Sequence, residues 1–586
     1  MDMTLPHGSR HNSTIRSSNG CWTCRLRRKK CDENRPVCDV CAALHITCHY
    51  GQDKPEWMDG GARQEEMAER LKHEVKENAH LRREVREVRA IHVPGELLGA
   101  TTSESLNSEI EPCPEASAIA IRLQRGADCK IVSKEIHDNA SFGRSCTVLI
   151  TFYLENLLPF LFPFYCPSPL EGGRSWILEM MISSPVVRQA TLCQSSYFFS
   201  LAQGTANHHA VWETVLSQTR DAFGVLRKSL QVIDGSSITE HLHGAVRIMA
   251  SVMQMQRFEI TVLCFDNCQA HLNAGLALFK QLLESPGPVE SAGPSSNFNS
   301  VVNRLGPPTW ISPAQDVKVQ SAEQAAFRFS SALLIFDDIV ASTVLQEKPR
   351  LYEYQHCLLS DSNGTGPLLN LETVVGCQNW VLLQISEISA LDAWKKQCKT
   401  AGNLDVIDLV RRATAIKEFL ETHLTRLEAE SSAIAQNGNS LLDAFNVHYY
   451  QHSKTSVCQS RLTTRVWAHA ALIYLIIVVS GWQPASVEVR YHVGRVIDIL
   501  THAASPKALL RTMVWPFCVA GCLAEPAQEA DLREMVLALQ PPSVFGTVRK
   551  ALEIMENVWR NRDTSDSASR DLAMCFRSQG ELVLLV

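Results

Sequence analysis

Residues 21–48 read CWTCRLRRKKCDENRPVCDVCAALHITC and contain six cysteines in a repeated pattern. Each half has the spacing C-x2-C-x6-C, and the six residues are Cys21, Cys24, Cys31, Cys38, Cys41 and Cys48. A structural zinc site takes four ligands in a tetrahedron. Six cysteines therefore suffice for two zinc ions when two of the thiolates bridge both metals. The repeat predicts that the first cysteine of each half, Cys21 or Cys38, is such a bridging ligand.

Other interpretations of these cysteines fit less well. A single zinc site built from the two C-x2-C pairs would leave Cys31 and Cys48 unused at matching offsets. Disulfides belong to oxidising compartments, and the N-terminal sequence MDMTLPHGSRHNS lacks the apolar core of a signal peptide. His45 and His49 lie beside the last cysteine, and they are interpreted as ordinary residues rather than ligands. The two-zinc cluster is the preferred interpretation.

The two halves differ in the six residues between their second and third cysteines. The first half has RLRRKK at 25–30, with five cations, whereas the second half has AALHIT at 42–47, with none. Basic residues bind nucleic acid by neutralising phosphates and releasing counterions. A solvated charged face and a nuclear-import patch are the alternatives. Cations held between zinc ligands favour a DNA-reading surface, with a short helix after each C-x2-C.

Residues 21–48 resemble the fungal binuclear zinc-cluster DNA-binding domain, of the type found in the yeast galactose regulator. The resemblance rests on the cysteine spacing, the run CRLRRKKC and the pair Arg35-Pro36. It implies a nuclear transcription factor for RNA polymerase II that reads CGG-like triplets of double-stranded DNA with its first short helix. Arg28 stands where the family usually has its base-contacting lysine, and a guanidinium can donate two hydrogen bonds to guanine. The residues assigned to phosphate contacts are Arg25, Arg27, Lys29 and Lys30.

Residues 63–90 contain neither proline nor glycine and follow a helical pattern. Heptad a and d positions fall on Met67, Leu71, Glu74, Asn78, Leu81, Val85 and Val88, and all but Glu74 are assigned to a dimer seam. An asparagine at an a position is typical of a parallel pair of helices. The expectation is a homodimer in which the linker at 51–62 sets the spacing of two triplets. A solitary helix packed on the rest of the chain is the alternative.

The chain of 586 residues has an uneven charge distribution. Its formal net charge is −6, but residues 1–50 carry eight Lys and Arg against four Asp and Glu. A basic head before an acidic body suits a DNA-binding module on a regulatory domain. The fourteen other cysteines lack metal-ligand spacing, which suits a reducing cytosol and nucleus.

The predicted class is all-α, with a small two-zinc domain of two short helices, a coiled-coil-like helix and a large α-helical regulatory domain. The predicted boundaries are a disordered segment at 1–19, the zinc-cluster domain at 20–50, a linker at 51–62, the dimerisation helix at 63–90, a second linker at 93–140 and the helical domain at 141–586.

Three segments of the body are informative. Residues 321–345 have apolar residues at helical spacing. Residues 466–479 are almost entirely apolar but shorter than the ~20 residues that a membrane span needs, so they predict a buried core helix with Gly481 as its stop and no membrane partner. Residues 285–308 are rich in proline, glycine, serine and asparagine, which predicts a mobile surface loop.

Short motifs in the body give a second resemblance. They are FLFPFY at 160–165, EGGRSW at 171–176, LIY at 472–474 with SGW at 480–482, and WPFCVAGCLA at 515–524. These motifs resemble the fungal-specific transcription-factor regulatory region, in particular the group that includes acriflavine-sensitivity control proteins and regulators of secondary-metabolite clusters. The resemblance implies a helical domain that contacts the transcription machinery and carries no catalytic residue.

Enzyme motifs are missing from the sequence. It has no G-x-G-x-x-G, Walker loop, G-x-S-x-G or H-E-x-x-H. We therefore predict that the chain is not an enzyme. Two alternatives stay open: the body senses a small-molecule effector, as in a drug or sterol response, or it is an enzyme tethered to DNA by the zinc module.

Overall fold

A computed structural model of the chain describes two compact units, Met1–Glu115 and Ala116–Val586. The residues described are 20–33, 38–42, 44, 46–49, 54–55, 57–61, 63–72, 144–168, 172–204, 217–222, 224–226, 241–261, 263, 265–284, 294–307, 309–312, 317–361, 364, 366–429, 447–503, 507–562, 570–577 and 583–586. The predicted disordered segment at 1–19 and the predicted linker at 93–140 lie outside these residues.

The N-terminal unit is built from very short helices. Helix α1 spans Trp22–Leu26, α2 spans Asp39–Ala42, and residues 63–72 are also helical. Isolated helices of one turn are unstable in water, and little apolar surface supports these two. The buried cluster here consists of Cys21, Cys24, Cys31, Cys38, Cys41 and Ile46. A unit whose core is mostly sulfur needs a metal to hold it together.

The second unit is a helical body. Its elements are α3 Arg144–Phe152, α4 Leu158–Leu161, α5 Ser175–Ser183, α6 Pro185–Ala202, α7 Leu242–Thr261, α8 Phe265–Glu284, α9 Pro294–Arg304, β1 Thr309–Ser312, β2 Val317–Val319, α10 Ala322–Leu345, α11 Tyr352–Leu359, α12 Glu372–Val375, α13 Asn379–Ala401, α14 Val406–Ala429, α15 Val447–Ser480, α16 Val487–Asp498, α17 Val514–Cys522, α18 Glu529–Leu537, α19 Gly546–Arg560 and α20 Leu572–Arg577. Strands β1 and β2 form an antiparallel pair with Thr309 opposite Val319. The predicted all-α class is confirmed, with this hairpin as a small addition.

Helix α10 lies at the centre of the body. It packs against α5, α7, α8, α13 and α20. Its start is fixed by a capping box, in which the Ser321 hydroxyl accepts from the Gln324 amide at 3.2 Å and the Gln324 side chain accepts from the Ser321 amide at 3.1 Å. It ends where Gln346 adopts a left-handed conformation. The helix predicted at 321–345 is therefore confirmed.

Helix α15 is longer than predicted, because its apolar part continues back from residue 466 to 457. The stretch Val457–Ser480 is long and apolar enough to cross a membrane by length and composition, so the argument from shortness was wrong. Burial supports the core-helix assignment instead, since 78% of its most apolar window is buried inside the body. Gly481 follows with φ of +82°, and its amide donates to the Ile477 carbonyl at 2.8–3.0 Å, here 2.9 Å.

Two stacked tryptophans join the helices of the core. The rings of Trp467 on α15 and Trp515 on α17 are 5.4 Å apart and nearly parallel, with an angle of 10° between their planes. The Trp515 indole nitrogen also donates to the Thr343 hydroxyl of α10 at 2.9 Å. A buried tryptophan is stable in a core when its N–H finds such an acceptor. One continuous apolar cluster extends from α3 to the segment 583–585.

The mobile loop predicted at 285–308 is wrong for its second half. Residues 294–304 form helix α9, with Phe298, Val301 and Val302 buried. These three residues have the i, i+3, i+4 spacing of one helix face, and the serines and asparagines between them hid that spacing. The Phe298 ring stacks on Phe327 of α10 with centroids 5.0 Å apart. Residues 285–293 lie outside the described residues.

A π-helical turn interrupts the first helix of the body. Tyr153–Leu157 has the wider π-helical hydrogen bonding and connects α3 directly to α4. The side chains of Tyr153 and Leu157 are buried. Such turns are rare and occur often beside functional sites.

Candidate metal centre

The structure brings all six predicted ligands together in the N-terminal unit. Their sulfur atoms form two groups of four, each with all sulfurs within 4.8 Å of one another. The first group is Cys21, Cys24, Cys31 and Cys38, and the second is Cys21, Cys38, Cys41 and Cys48. The two groups share Cys21 and Cys38, the pair that the repeat singles out as bridging.

The sulfur–sulfur distances suit tetrahedral zinc. With a Zn–S bond of about 2.3 Å, the thiolates of a tetrahedral site lie about 3.8 Å apart. The Cys21 and Cys38 sulfurs are 3.7 Å apart. The Cys21–Cys41 and Cys38–Cys48 pairs of the second group are 3.8 and 3.9 Å apart. Two metal ions fit this donor set without rearrangement of the backbone.

Backbone amides support the sulfurs in the same way in both halves. The Cys24 amide donates to the Cys21 sulfur at 3.3 Å, and the Cys41 amide donates to the Cys38 sulfur at 3.4 Å. The Cys21 amide also donates to the Cys31 sulfur at 3.4 Å. Donors of this kind stabilise thiolate charge and fix the ligand positions around a metal.

Burial sets the protonation chemistry of the cluster. It raises the pKa of Cys24 to about 11 and raises the pKa values of Cys21 and Cys41 above their ordinary range as well. Thiols with raised pKa values are protonated at neutral pH, whereas zinc binds the thiolate. Metal loading of this site therefore releases protons.

Thr23 connects the beginning and the end of the module, and the sequence analysis missed it. Its buried hydroxyl donates to the Thr47 carbonyl at 2.9 Å and accepts from the His49 amide at 3.0 Å. The Trp22 amide donates to the His49 carbonyl at 2.8 Å. His49 therefore contributes its backbone here and lies outside both sulfur groups. No spacing rule in the sequence marks a single threonine for this role. His45 lies outside the described residues.

Helix α1 ends earlier than expected. It begins after the first cysteine and stops at Leu26, so most of the basic run lies beyond the helix. Arg28 has a φ of +55°, the left-handed region. The Arg28 amide donates to the Arg25 carbonyl at 3.2 Å and the Lys29 amide to the Cys24 carbonyl at 3.0 Å. This is a Schellman ending, in which arginine occupies the position that glycine usually takes.

The five predicted DNA-binding cations differ in accessibility. Arg28, Lys29 and Lys30 are exposed, whereas Arg25 and Arg27 are half-buried. Arg25 is held within the module, because its Nε donates to the Gly20 carbonyl at 2.9 Å and its guanidinium lies 4.6 Å from the centre of the Trp22 ring. The Arg35-Pro36 pair lies outside the described residues.

Of the predicted dimer seam, the described residues include only the beginning. Residues 63–72 are helical, Leu71 is buried and Met67 is half-buried within the single chain. The assigned positions Asn78, Leu81, Val85 and Val88 lie outside the described residues. The dimerisation helix at 63–90 therefore stays a prediction.

The fold and the site together define a zinc-dependent DNA-binding regulator. A family model of the fungal Zn(2)-Cys(6) binuclear cluster domain matches residues 19–56, and one of the fungal specific transcription factor domain matches residues 148–584. The chain belongs to this family of fungal zinc-cluster transcription factors. Its cofactor is two zinc ions, and both resemblances inferred from the sequence are confirmed.

Several curated proteins are similar over nearly the whole chain. Transcription factor dibT of Pestalotiopsis microspora is 34% identical, over 97% of this chain and 99% of its own length. Pestheic acid cluster transcriptional regulator 3 of Pestalotiopsis fici is 26% identical, over 94% and 96%. The ustiloxin B cluster transcription factor ustR of Aspergillus flavus is 25% identical, over 94% and 95%. No solved structure matches the chain.

Proposed function

We propose that the chain is a nuclear transcription factor for RNA polymerase II that reads CGG-like triplets through its N-terminal module. One observation carries the proposal: two four-sulfur groups share Cys21 and Cys38, and the exposed cations Arg28, Lys29 and Lys30 follow directly from that frame. Cys24 and Cys31 complete the first zinc site. Cys41 and Cys48 complete the second.

The basic run supplies the attraction to DNA. Six thiolates and two Zn²⁺ ions leave a charge of about −2, so the cluster itself repels phosphate. Arg28 reads a guanine, because it is exposed and held rigidly at the end of α1 by the two backbone hydrogen bonds of its turn. The exposed Lys29 and Lys30 contact phosphates. Arg25 and Arg27 are assigned the same role at closer range to the module.

Two substitutions test this division of roles in the full-length protein. Arg28→Ala is expected to reduce discrimination at one guanine by about 1–3 kcal/mol. Lys30→Ala is expected to weaken binding to all sequences equally and to reduce the salt slope by about one. Fluorescence anisotropy with specific and random DNA at several salt concentrations measures both effects, and Lys399→Ala, an exposed lysine of the body, is the matched control. Equal losses on both DNAs for Arg28→Ala would refute the base-reading role.

We further propose that the protein binds as a homodimer through residues 63–90, with the linker at 51–62 setting the spacing between two triplets. The helical conformation of 63–72 supports the beginning of this segment. Deletion of 63–90 should convert binding at a two-triplet site to binding at one triplet, as measured by the mass of the complex. Unchanged stoichiometry would favour the solitary helix instead.

The names of the relatives support a pathway assignment. Two of them are named as regulators of the pestheic acid and ustiloxin B clusters. We propose that this chain also activates or represses a secondary-metabolite biosynthetic gene cluster, with its body contacting the transcription machinery. Transcript profiling after deletion of its gene tests this, and unchanged expression of every such cluster under producing conditions would contradict it. A fluorescent fusion reports nuclear location.

A second proposal concerns the body, which we infer to be a sensor of a small-molecule effector rather than an enzyme. Cavities inside it, lined by aromatic rings and two arginines, support a binding role. The relatives are transcription factors, and neither a catalytic motif nor a nucleophile with a lowered pKa was found among the described residues. Ligand-induced changes in DNA affinity of the full-length protein would report such a sensor.

A further inference from the structure

Two adjoining cavities lie within the helical body, beside α7. The larger has a volume of about 100 Å³ and the smaller about 50 Å³. Both are lined by Phe162, Arg257 and Leu333, so these residues form the wall between them. Their combined size suits one small organic molecule, since an engineered apolar cavity of roughly 150 Å³ takes up benzene. We refer to the pair as the α7 cavities.

Their walls are mostly apolar. The larger cavity is faced by Phe160, Phe198 and Phe336, and the smaller by Tyr153, Trp176 and Met180. Rings on several sides favour a flat or elongated apolar body in the ligand, with a few polar groups fixing its orientation.

Two guanidinium groups face the larger cavity, and they are not balanced in charge. Arg257 donates to the buried carboxylate of Asp337 at 2.6 Å. Arg511 donates instead to the neutral Leu161 carbonyl at 3.1 Å and lies 4.0 Å from the centre of the Phe160 ring. Among the described residues, Asp337 is the only carboxylate that pairs with either arginine. One positive charge therefore has no anionic partner at this site.

Polar atoms in the cavities also lack partners. Gln194 lines the smaller cavity with only 1% of its surface exposed, and neither its amide nitrogen nor its amide oxygen has a hydrogen-bond partner. The Nε atoms of Arg257 and Arg511 lack acceptors as well. Buried polar groups without partners are rare and costly. A bound ligand that supplies the missing acceptors and donors accounts for all of them.

We propose that the α7 cavities bind a small, largely apolar molecule that carries one carboxylate, with the carboxylate facing Arg511 and Arg257 and a second polar group facing Gln194. Arginine suits this role because its planar fork matches a carboxylate. Burial lowers the pKa of Arg511 to about 9, which leaves it charged at neutral pH. The inference rests on the proposed sensor role of the body and names its ligand class.

The test uses the full-length, zinc-loaded protein without DNA, so failure of ligand binding is separable from failure of DNA reading. The probes are benzoate, 2-naphthoate and 4-phenylbutanoate, each paired with the neutral amide of the same carbon skeleton. Calorimetry gives the Kd, and the melting temperature reports stabilisation of the folded state. We expect at least one carboxylate to bind ten-fold or more tightly than its amide. Binding by none of the carboxylates, or equal binding of acid and amide, would overturn the proposal.

Variants assign the charge recognition to its residue. Arg511→Met keeps the apolar stem and should remove the preference for the carboxylate over the amide. Arg560→Met, an exposed arginine at the end of α19, is the matched control and should keep that preference. A preference that survives Arg511→Met would contradict the assignment.

Gln194→Leu gives a second, independent measurement. Because it removes a buried amide without partners, the ligand-free protein should melt at a higher temperature than the original. The same variant should bind the best carboxylate probe at least three-fold more weakly. A higher melting temperature with unchanged affinity for every probe would show that Gln194 does not contact the ligand, and would overturn that part of the proposal.

Discussion

The cluster module at residues 20–49 and the helical body have opposite means of support. The buried side chains of the module's apolar cluster are five cysteines and Ile46. In the body, by contrast, one continuous apolar core includes aromatic anchors such as Phe327, Trp467 and Trp515. Apolar burial stabilises by roughly 25 cal/mol per Å², and the module has too little of it. The module therefore depends on metal, and the body depends on packing.

This difference teaches that the two parts can fail separately. Chelation should unfold the module and leave the body intact, while a core substitution should do the reverse. Each prediction that follows perturbs one region and measures both.

The largest effect is expected from the shared thiols. Cys21→Ser removes a ligand that belongs to both sulfur groups, so both zinc ions should be lost and the module should unfold. Cys48→Ser removes a ligand of one group only and should leave about one zinc per chain. Zinc analysis and DNA binding measure these outcomes. Cys458→Ser, an exposed cysteine of the body, is the control. Equal zinc loss in Cys21→Ser and Cys48→Ser would argue against two sites with shared ligands.

The core of the body offers the reverse experiment. Trp515→Ala removes a fully buried ring, its stacking on Trp467 and its hydrogen bond to Thr343. The free energy of unfolding of the body should fall by about 3–5 kcal/mol, while zinc content stays unchanged. Chemical denaturation followed by circular dichroism gives the first quantity and metal analysis the second. A loss of zinc in this variant would show that the two regions are coupled.

Acid should weaken the body through two buried histidines. The Nδ1 atoms of His469 and His492 are 3.0 Å apart, and burial lowers their pKa values to about 3 and about 4. Since both rings stay neutral when folded but gain protons near pH 6.5 when unfolded, their contribution is complete above pH 6.5 and is lost as the pH falls toward 4. The loss is about 1.4 kcal/mol per pH unit for each imidazole.

The double variant His469→Phe, His492→Phe isolates this contribution, because phenylalanine does not titrate. Its unfolding free energy should fall less steeply between pH 6.5 and 5 than that of the original protein, as measured by denaturation at each pH. Parallel curves would mean that other groups dominate the acid sensitivity.

The smallest effect concerns the strained end of α1. Arg28→Gly places glycine at a left-handed position, where a side chain costs about 1 kcal/mol, so the zinc-loaded module should become more stable by about 0.5–1 kcal/mol. Competition with a chelator measures this as tighter zinc retention. The same variant should lose guanine discrimination as fully as Arg28→Ala does. Weaker zinc retention would show that the Arg28 side chain supports the module instead.

The sequence predicted most where chemistry is encoded by spacing. The cysteine repeat indicated two metals and a shared pair, because ligand number and offset restrict the geometry. Helix α10 was also predictable, since Ser321 and Gln324 form a capping signal before an apolar pattern. The extent of α15 was not, because its polar beginning shows no boundary.

Other features arise from tertiary structure and have no local signal. The left-handed conformation of Arg28 follows from how the chain must turn toward Cys31, and arginine does not predict it. Helix α9 was missed because its three apolar residues lie among serines and asparagines. The α7 cavities combine residues from distant segments, including Gln194, Arg257 and Arg511, which no single motif connects.

The π-helical turn Tyr153–Leu157 has a consequence for how this chain tolerates changes in length. A π turn holds one residue more than the α-helical turn it replaces, and each residue of an α-helix advances the direction of side chains by about 100°. Deletion of one residue here would rotate everything that follows on the helix by that angle. Phe160 and Phe162 would then turn away from the α7 cavities. The number of residues in this turn sets the angular phase of the aromatic wall, so an insertion or deletion there would reshape the cavities while leaving their composition unchanged.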